Sequence, residues 1–289
     1  MAAETAATRF DPVRYKQVTE QQWQQAARAW NEWTPFLREW LGPATELMLD
    51  GAGVTAGARV LDVAAGAGDQ SLRAAQRVGP RGHVLATDIS SNLLEYAAMN
   101  ARAVGVTQLQ VRKMDGENLE VPEESFDSVI SRVGLIYFPD RSKALRGIRT
   151  ALRRGGRVGV IVYSTPEANR FFSIPVGIIR RRAGLPPPPA GQPGPFSLGA
   201  PGALATAFAE AGFREIEVTA IDAPLRMSSA EECVRFEKES FGALHGMMAA
   251  LDETERTGIW DEIRSELRRF ESGGAFRGPC ELLVGTAAR

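Results

Sequence analysis

Between Arg59 and Ser164 short apolar runs alternate with longer stretches in which apolar residues return every three or four positions. Arg59 to Val63 is a buried-strand run that empties into small residues, Ala64 to Gly68, and Asp69 to Val78 then reads as a helix. His83 to Thr87 is a second strand closed by Asp88, followed by a helix over Asn92 to Val104 and a third strand over Leu109 to Lys113. Phe126 to Ser131 gives a fourth strand, Arg141 to Leu152 a helix, and Val158 to Tyr163 a fifth strand after the Gly155-Gly156 turn. Strands alternating with helices of this length predict a parallel sheet with helices on both faces.

The flanks read differently. The first 50 residues are helical in pattern: Thr19 with Gln22 looks like a capping-box start, and Trp23, Trp30, Trp33 and Trp40 follow at steps of 7, 3 and 7. That spacing puts four indoles near one helical face, with Pro35 predicted to kink or divide the helix. Such a stripe is read either as a helix buried against the main domain or as a cap whose aromatics also wall a pocket. After Ser164 an amphipathic segment runs to Arg182 and a Pro/Gly stretch from Leu185 to Pro201, whose Pro186 to Pro189 suits a spacer or a lid hinge. Ala203 to Ala211 is a helix stopped by Gly212, and Arg214 to Ile221 is a sixth strand. Ser229 with Glu232 opens helices that run, with a break near Asp252, to about Phe270, and Glu281 to Thr286 is a last strand. The expected organisation is an N-terminal helical cap over 1–50 and one domain over 51–289, with lid insertions at about 165–202 and 228–272.

Composition changes this picture mainly by exclusion. Hydrophobic residues at 44% and charged residues at 24% are ordinary for a folded soluble chain. A net charge of -1 gives no basic field for a nucleic-acid partner, and no apolar run approaches a membrane span. Met1 to Thr8 lacks the apolar core of a secretory signal, so a cytoplasmic location is expected. Two cysteines, Cys233 and Cys280, and two histidines, His83 and His245, argue against a disulfide framework and against a metal site. Both cysteines read as small buried apolar residues, and His83 as structural.

A strand that empties into a small-residue loop and then a helix is an anion or nucleotide site by construction, because backbone N–H groups face the ligand. Gly66 and Gly68 are followed by Ser71 where a dinucleotide fingerprint wants its third glycine, and no Walker lysine follows. Asp62 lies in the first strand just ahead of that loop, and Asp88 closes the second, where a carboxylate accepts both hydroxyls of a ribose. Asp115-Gly116 follows the third, where a carboxylate and the next N–H suit an adenine edge. Three acids at the carboxyl ends of consecutive parallel strands point to a nucleoside site, since that edge is where open α/β sheets bind ligands.

Val60-Leu61-Asp62-Val63-Ala64-Ala65-Gly66-Ala67-Gly68-Asp69 resembles motif I of the class I S-adenosylmethionine-dependent methyltransferases, with Ala64 in place of the usual first glycine. Within them it is most similar to the C-methyltransferases of ubiquinone and menaquinone biosynthesis. The similarity continues through Ala86 to Ile89, Asp115 to Leu119, Phe126 to Ile130, Gly134-Leu135, Lys143 to Arg146 and Gly155 to Arg157, and fades outside Val60 to Pro166. It implies a doubly wound, mostly parallel seven-stranded sheet of Rossmann-like methyltransferase type, with the helical cap in front and a helical insert before the last strand. It implies S-adenosylmethionine as cofactor, approached by Ala64, Gly66, Ala67 and Gly68 with Asp62 behind them. Asp88 would hold the ribose, Ile89 would pack on adenine, and Asp115 with Gly116 would read it. Arg132 stands where the family contacts the cofactor; an arginine there suits pairing with Asp62 or with a substrate acid, the former preferred.

Methyl transfer from a sulfonium needs alignment and a water-poor pocket, and aromatic faces favour the cation. The tryptophans, Tyr15 and Tyr137 fit that wall. A phenol or enol acceptor also needs a base, for which His245 in the late helices and Tyr137 are the candidates. The expected enzyme methylates O or C of a small, apolar or aromatic metabolite, works as a monomer or homodimer, and has neither a nucleic-acid nor an integral-membrane partner. The rival readings are a nicotinamide-dependent oxidoreductase and a non-catalytic cofactor-binding protein.

Overall fold

A computed structural model describes residues 10–189 and 191–289. The expectation over Met1 to Thr8 lies outside them. Three helices come first: α1 (Pro12–Glu32), α2 (Thr34–Trp40) and α3 (Gly42–Gly51). The predicted start at Thr19 is corrected, because Asp11 caps α1 by accepting from the N–H groups of Val13 (3.0 Å) and Arg14 (3.1 Å), with Pro12 in the first turn. Thr19 is then an interior residue facing the sheet. The break falls at Trp33, just ahead of Pro35.

The central alternation is seen as β1 (Arg59–Val63), α4 (Asp69–Val78), β2 (His83–Asp88), α5 (Ser91–Ala103), β3 (Leu109–Lys113), β4 (Phe126–Arg132), α6 (Arg141–Ala151) and β5 (Leu152–Tyr163). Then come α7 (Arg170–Arg182), α8 (Ala203–Glu210), β6 (Arg214–Asp222), β7 (Leu225–Met227), α9 (Ala230–Ser240), α10 (Gly242–Met247), α11 (Glu253–Leu267), β8 (Glu271–Ser272), β9 (Ala275–Gly278) and β10 (Glu281–Ala288). Seven strands form one sheet in the order β3-β2-β1-β4-β5-β10-β6. The first five are parallel, and β10 runs antiparallel between β5 and β6. Strand order reverses between β1 and β4, which opens a crevice at their carboxyl ends.

The middle strands are near-continuous apolar runs because helices cover both faces. Val60, Leu61, Val129, Ile130, Val160 and Ile161 are all fully buried, each contributing about 1.5–3 kcal/mol. Helix starts match the sequence: Ser90, Asp140 and Ser229 accept from N–H groups in the first turns of α5, α6 and α9, and Asp252 with Glu255 forms a capping box on α11.

A second sheet, β7-β9-β8, went unread; its strands flank the helices expected from Ser229 to about Phe270. Its strands are two to four residues long, too short to leave a pattern of period two. The Pro/Gly stretch is fixed by loop contacts rather than by elements of its own: Gly194 N and Ser197 Oγ donate to the Ile136 carbonyl at 2.9 and 3.1 Å. Of the three arginines ending α7, Arg181 and Arg182 both pair with Glu262 of α11. No helix among the described residues is long and apolar enough to cross a membrane.

Candidate active site

The crevice at the β1/β4 reversal opens into a cavity with about 830 Å³ of empty space, open solvent at its mouth included. Its floor is the loop after β1. Ala64, Gly66 and Gly68 all have left-handed backbone, with φ of 60°, 58° and 85°. The usual glycine at the first of these is explained by that angle, which Ala64 adopts at a cost. A Cβ on Gly66 would stand 3.2 Å from the Trp30 indole nitrogen, and one on Gly68 would meet the Ala97 Cβ at 2.8 Å. Opposite, Val133 also has positive φ, 52°, uncommon for a β-branched residue and typical of strain kept at a ligand site.

Among the expected residues, Ala64, Gly66, Asp88, Ile89, Asp115, Gly116, Arg132 and Tyr137 line the cavity. Asp88 is 6% exposed, and its carboxylate accepts from Gly66 N (2.9 Å) and Ser90 N (2.8 Å). Burial pushes its carboxyl up to about 6, against the pull of those N–H groups. Asp115 Oδ2 accepts from Lys16 Nζ at 2.8 Å and Asn118 Nδ2 at 2.6 Å, and Oδ1 from Glu117 N at 3.0 Å. Burial works to raise that acid, but Lys16 and the two other donors outweigh it and hold it below its ordinary value.

Three expected residues lie behind the wall. Ala67 and Gly68 are buried under the loop. Asp62 is fully buried and receives Ser71 Oγ and, at 3.3 Å, Gln70 Nε2, so it reaches the cavity only through Gln70. Burial lifts its carboxyl to about 7.

The preferred pairing of Arg132 with Asp62 is corrected. Arg132 Nη1 donates to Asp69 Oδ2 at 2.9 Å and to Thr45 Oγ1 at 3.2 Å. Asp69 opens α4 and also binds Arg38 at 2.9 Å, so two guanidiniums overcome the effect of burial and hold it ionised. Asp62, raised by burial, is held by Ser71 and Gln70 instead.

The two candidate bases part company. Tyr137 sits in the wall, its ring 6.0 Å from Trp23, and burial together with Tyr15 raises its phenol, which disfavours the phenolate a base would need. His245 is exposed on α10, with Nε2 2.7 Å from the Lys238 carbonyl and its ring against Trp260, and it does not line the cavity.

Sequence reasoning missed Lys16, Gln70, Leu93, Met114 and Phe138, all of which line the cavity. Lys16 also binds Glu117 at 2.6 Å, while Glu117 Oε1 accepts from Asp140 N at 2.8 Å, so α1 is tied to the loop after β3. Nothing local marks a lysine near the chain start as a partner for acids about a hundred residues away. The tryptophan stripe is resolved into two pairs. Trp23 and Trp30 line the cavity, edge to face at 5.3 Å. Trp33 and Trp40 pack on Phe36 and Phe236, and their indole nitrogens donate to Glu239 (2.7 Å) and the Ala223 carbonyl (2.7 Å).

This geometry suits a nucleoside with a cationic tail. A Cβ on Gly134 would meet that of Ala64 at 2.4 Å, the buried carboxylate of Asp88 stands at the end of β2, and Trp23 and Trp30 line the cavity beside the loop. Comparison with known proteins agrees. The ubiE/COQ5 methyltransferase family matches residues 43–175. The nocamycin O-methyltransferase of Saccharothrix syringae is 29% identical over 245 residues, covering 82% of this chain and 87% of that protein. The ubiquinone/menaquinone biosynthesis C-methyltransferase UbiE of Edwardsiella ictaluri is 36% identical over 120 residues, but covers 41% of this chain, which spans 48% of that protein. Among solved structures, phosphoethanolamine N-methyltransferase 2 of Haemonchus contortus, in complex with S-adenosyl-L-methionine, shares the fold with a TM-score of 0.55 at 18% identity, covering 90% of this chain and 57% of that one.

Proposed function

The chain is a class I S-adenosylmethionine-dependent methyltransferase, and from that premise we propose that it methylates O or C of a small, apolar or aromatic metabolite. The observation that carries this reading is the wall of the cavity: Trp23, Trp30, Tyr137 and Phe138 face the acids of the strand ends across one space. The cofactor supplies a sulfonium methyl, and aromatic faces around it favour the cation. On the protein side, Asp88 gives up its proton and accepts the ribose hydroxyls, Ile89 packs on the base, and Asp115 with Gly116 meets its polar edge. The loop from Ala64 to Gly68 admits the methionine portion, with Asp62 steadying that loop through Gln70 and Ser71. Arg132, neutralised by Asp69, lines the wall as a fixed dipole rather than a free cation. Of the cap expected over 1–50, the described helices α1 to α3 close one side against water, and the described parts of the insertions at about 165–202 and 228–272 of the 51–289 domain shape the acceptor side.

Oxygen is the favoured acceptor atom. Likeness to the O-methyltransferase extends over 82% of the chain, whereas likeness to the quinone C-methyltransferase covers 41%. The test has two parts. S-adenosylhomocysteine is titrated against the chain beside NADPH, then a panel of phenols and enols is offered with methyl-labelled cofactor. Binding of the homocysteine product with label in a phenol or enol is expected. NADPH binding without it would sink the reading, and tight product binding with no labelled acceptor would favour a non-catalytic role.

A further inference from the structure

α1 turns one face to the cavity, and that face carries a charge as well as rings. Lys16, Thr19, Trp23 and Trp30 stand at steps of 3, 4 and 7, and all four line the space. Lys16 meets the cavity where β2 and β3 end side by side. There Met114 N donates to the Asp88 carbonyl at 2.9 Å, and Ile89, Met114, Asp115 and Gly116 line the corner. Gly116 has no room for a side chain, since a Cβ would stand 2.5 Å from the ring of Phe138, another lining residue.

The ammonium is held between two carboxylates with different duties. Lys16 Nζ donates to Glu117 Oε2 at 2.6 Å and to Asp115 Oδ2 at 2.8 Å. Glu117 is 8% exposed, accepts from Asp140 N on its other oxygen and does not line the cavity, so it anchors the lysine. Asp115 does line the cavity, and it has acceptor capacity to spare. An ionised carboxylate offers about four acceptor positions. Lys16, Asn118 Nδ2 and Glu117 N take three of them. The one left suits an N–H donor on a ligand. The seat of α1 does not depend on Lys16 alone. Gln24 Oε1 accepts from Ser90 Oγ at 2.9 Å and Asn92 N at 3.0 Å, Lys113 pairs with Glu20 at 2.7 Å, and Asn100 donates to Asn31 at 2.9 Å.

We propose that Lys16 is a positioning residue for base recognition: anchored by Glu117, it fixes Asp115 so that the carboxylate accepts from a 6-aminopurine and turns away a 6-oxopurine. This rests on the reading of Asp115 as the group that meets the polar edge of adenine. The amino group of adenine fills the last acceptor position. A 6-oxo base sets a second acceptor against the carboxylate with no proton between them, which costs the hydrogen bond and adds repulsion. Burial raises Asp115 and Lys16 leads the donors that lower it, so the lysine also keeps it an acceptor. A neutral carboxyl, by contrast, can donate to a 6-oxo group. Lys16 therefore acts through Asp115, and the selectivity belongs to the pair.

The full chain is compared with Lys16→Met, Lys16→Arg, Asp115→Ala and the double variant Lys16→Met/Asp115→Ala. Each is titrated calorimetrically with S-adenosylhomocysteine and with S-inosylhomocysteine, whose base carries a 6-oxo group, and its thermal midpoint is read. Wild type is expected to prefer the adenosyl compound by about 10-fold or more, the weight of a hydrogen bond to a charged group. Lys16→Met should shrink that preference to within a few-fold, and Lys16→Arg should keep most of it, because a guanidinium also donates to two acids. The double variant should lose no more than Asp115→Ala alone, as groups acting through one contact are not additive. If Asp115→Ala loses the preference while Lys16→Met keeps it, the role of Lys16 is overturned, whatever its midpoint. A preference that widens in Lys16→Met also overturns it, since the ammonium would then have served the 6-oxo base. Additive losses in the double variant do the same. If wild type binds both compounds alike, or Asp115→Ala keeps the preference, the adenine reading of Asp115 falls and this one with it.

Discussion

The cavity wall and the core directly behind it use the same residue types for opposite purposes. Trp30 and Trp40 differ by ten positions on consecutive helices, yet Trp40 is buried with its N–H satisfied by a carbonyl, whereas Trp30 leans over Gly66. Among the described residues, neither Trp23 nor Trp30 finds an acceptor for its indole N–H. Asp88 and Asp62 differ in position rather than in satisfaction: both are buried, pushed up by burial and bound by protein donors, but Asp88 lines the cavity while Asp62 lies behind it, held by Ser71 and Gln70. A satisfied group holds the fold together, and an unsatisfied one beside a space is available to a ligand.

The largest effect that would break this contrast is expected at Trp40. Trp40→Ala should lower stability by about 3–5 kcal/mol, as large core truncations do. Read by denaturant unfolding, a loss under one kilocalorie would show that the cap is not part of the core. Trp30→Ala should instead leave unfolding nearly unchanged and weaken S-adenosylhomocysteine binding by about 1–2 kcal/mol, the scale of lost aromatic contact around a ligand. Calorimetric titration showing full affinity would remove Trp30 from the cofactor wall.

The two acids separate by pH. An acid raised in the folded state holds its proton more tightly there than when unfolded, so its contribution favours folding at low pH and is lost as pH rises through the folded value. Asp62, raised from 3.8 to about 7, should therefore make wild type lose thermal stability relative to Asp62→Asn between those limits. Asp88 is expected to show its pH dependence in binding as well: affinity for S-adenosylhomocysteine should rise with pH through about 6, as the carboxylate needed by the ribose hydroxyls forms. A flat profile, or one that persists in Asp88→Asn, would contradict the ribose role. The smallest effect is at Ala64, where Ala64→Gly should stabilise the chain by about 1 kcal/mol by relieving a left-handed alanine. A lower thermal midpoint in that variant would mean that the Ala64 methyl group contributes packing worth more than the strain.

Much of the sheet was legible because each of its strands is a contiguous run with its own period. The first five parallel strands, the order of helices and the small-residue loop at the reversal all follow from local patterns. The start of α1 was not, because Asp11-Pro12 and Thr19-Gln22 are both plausible openings and only the capping contacts choose between them. Of the site, the acids at the strand ends could be named from position alone. Lys16 could not, since only the docking of α1 brings it to acids about a hundred residues away, whereas Gln70 and Met114 reach the cavity as sequence neighbours of Gly68 and Asp115. Arg132 was placed near the right acids and paired with the wrong one: burial raises Asp62, which Ser71 and Gln70 hold, while Asp69 is lowered by Arg132 and Arg38.

By itself, the sequence determined the layered α/β fold and the acids at its strand ends, because hydrophobic period and turn chemistry act over a few residues at a time. The resemblance of Val60 to Asp69 to the methyltransferase motif implied the cofactor. Which tryptophans face the cavity, which acid holds Arg132 and where His245 lies were decided by the tertiary structure. Those outcomes depend on burial and on partners from distant segments, and neither exists until the helices have docked on the sheet.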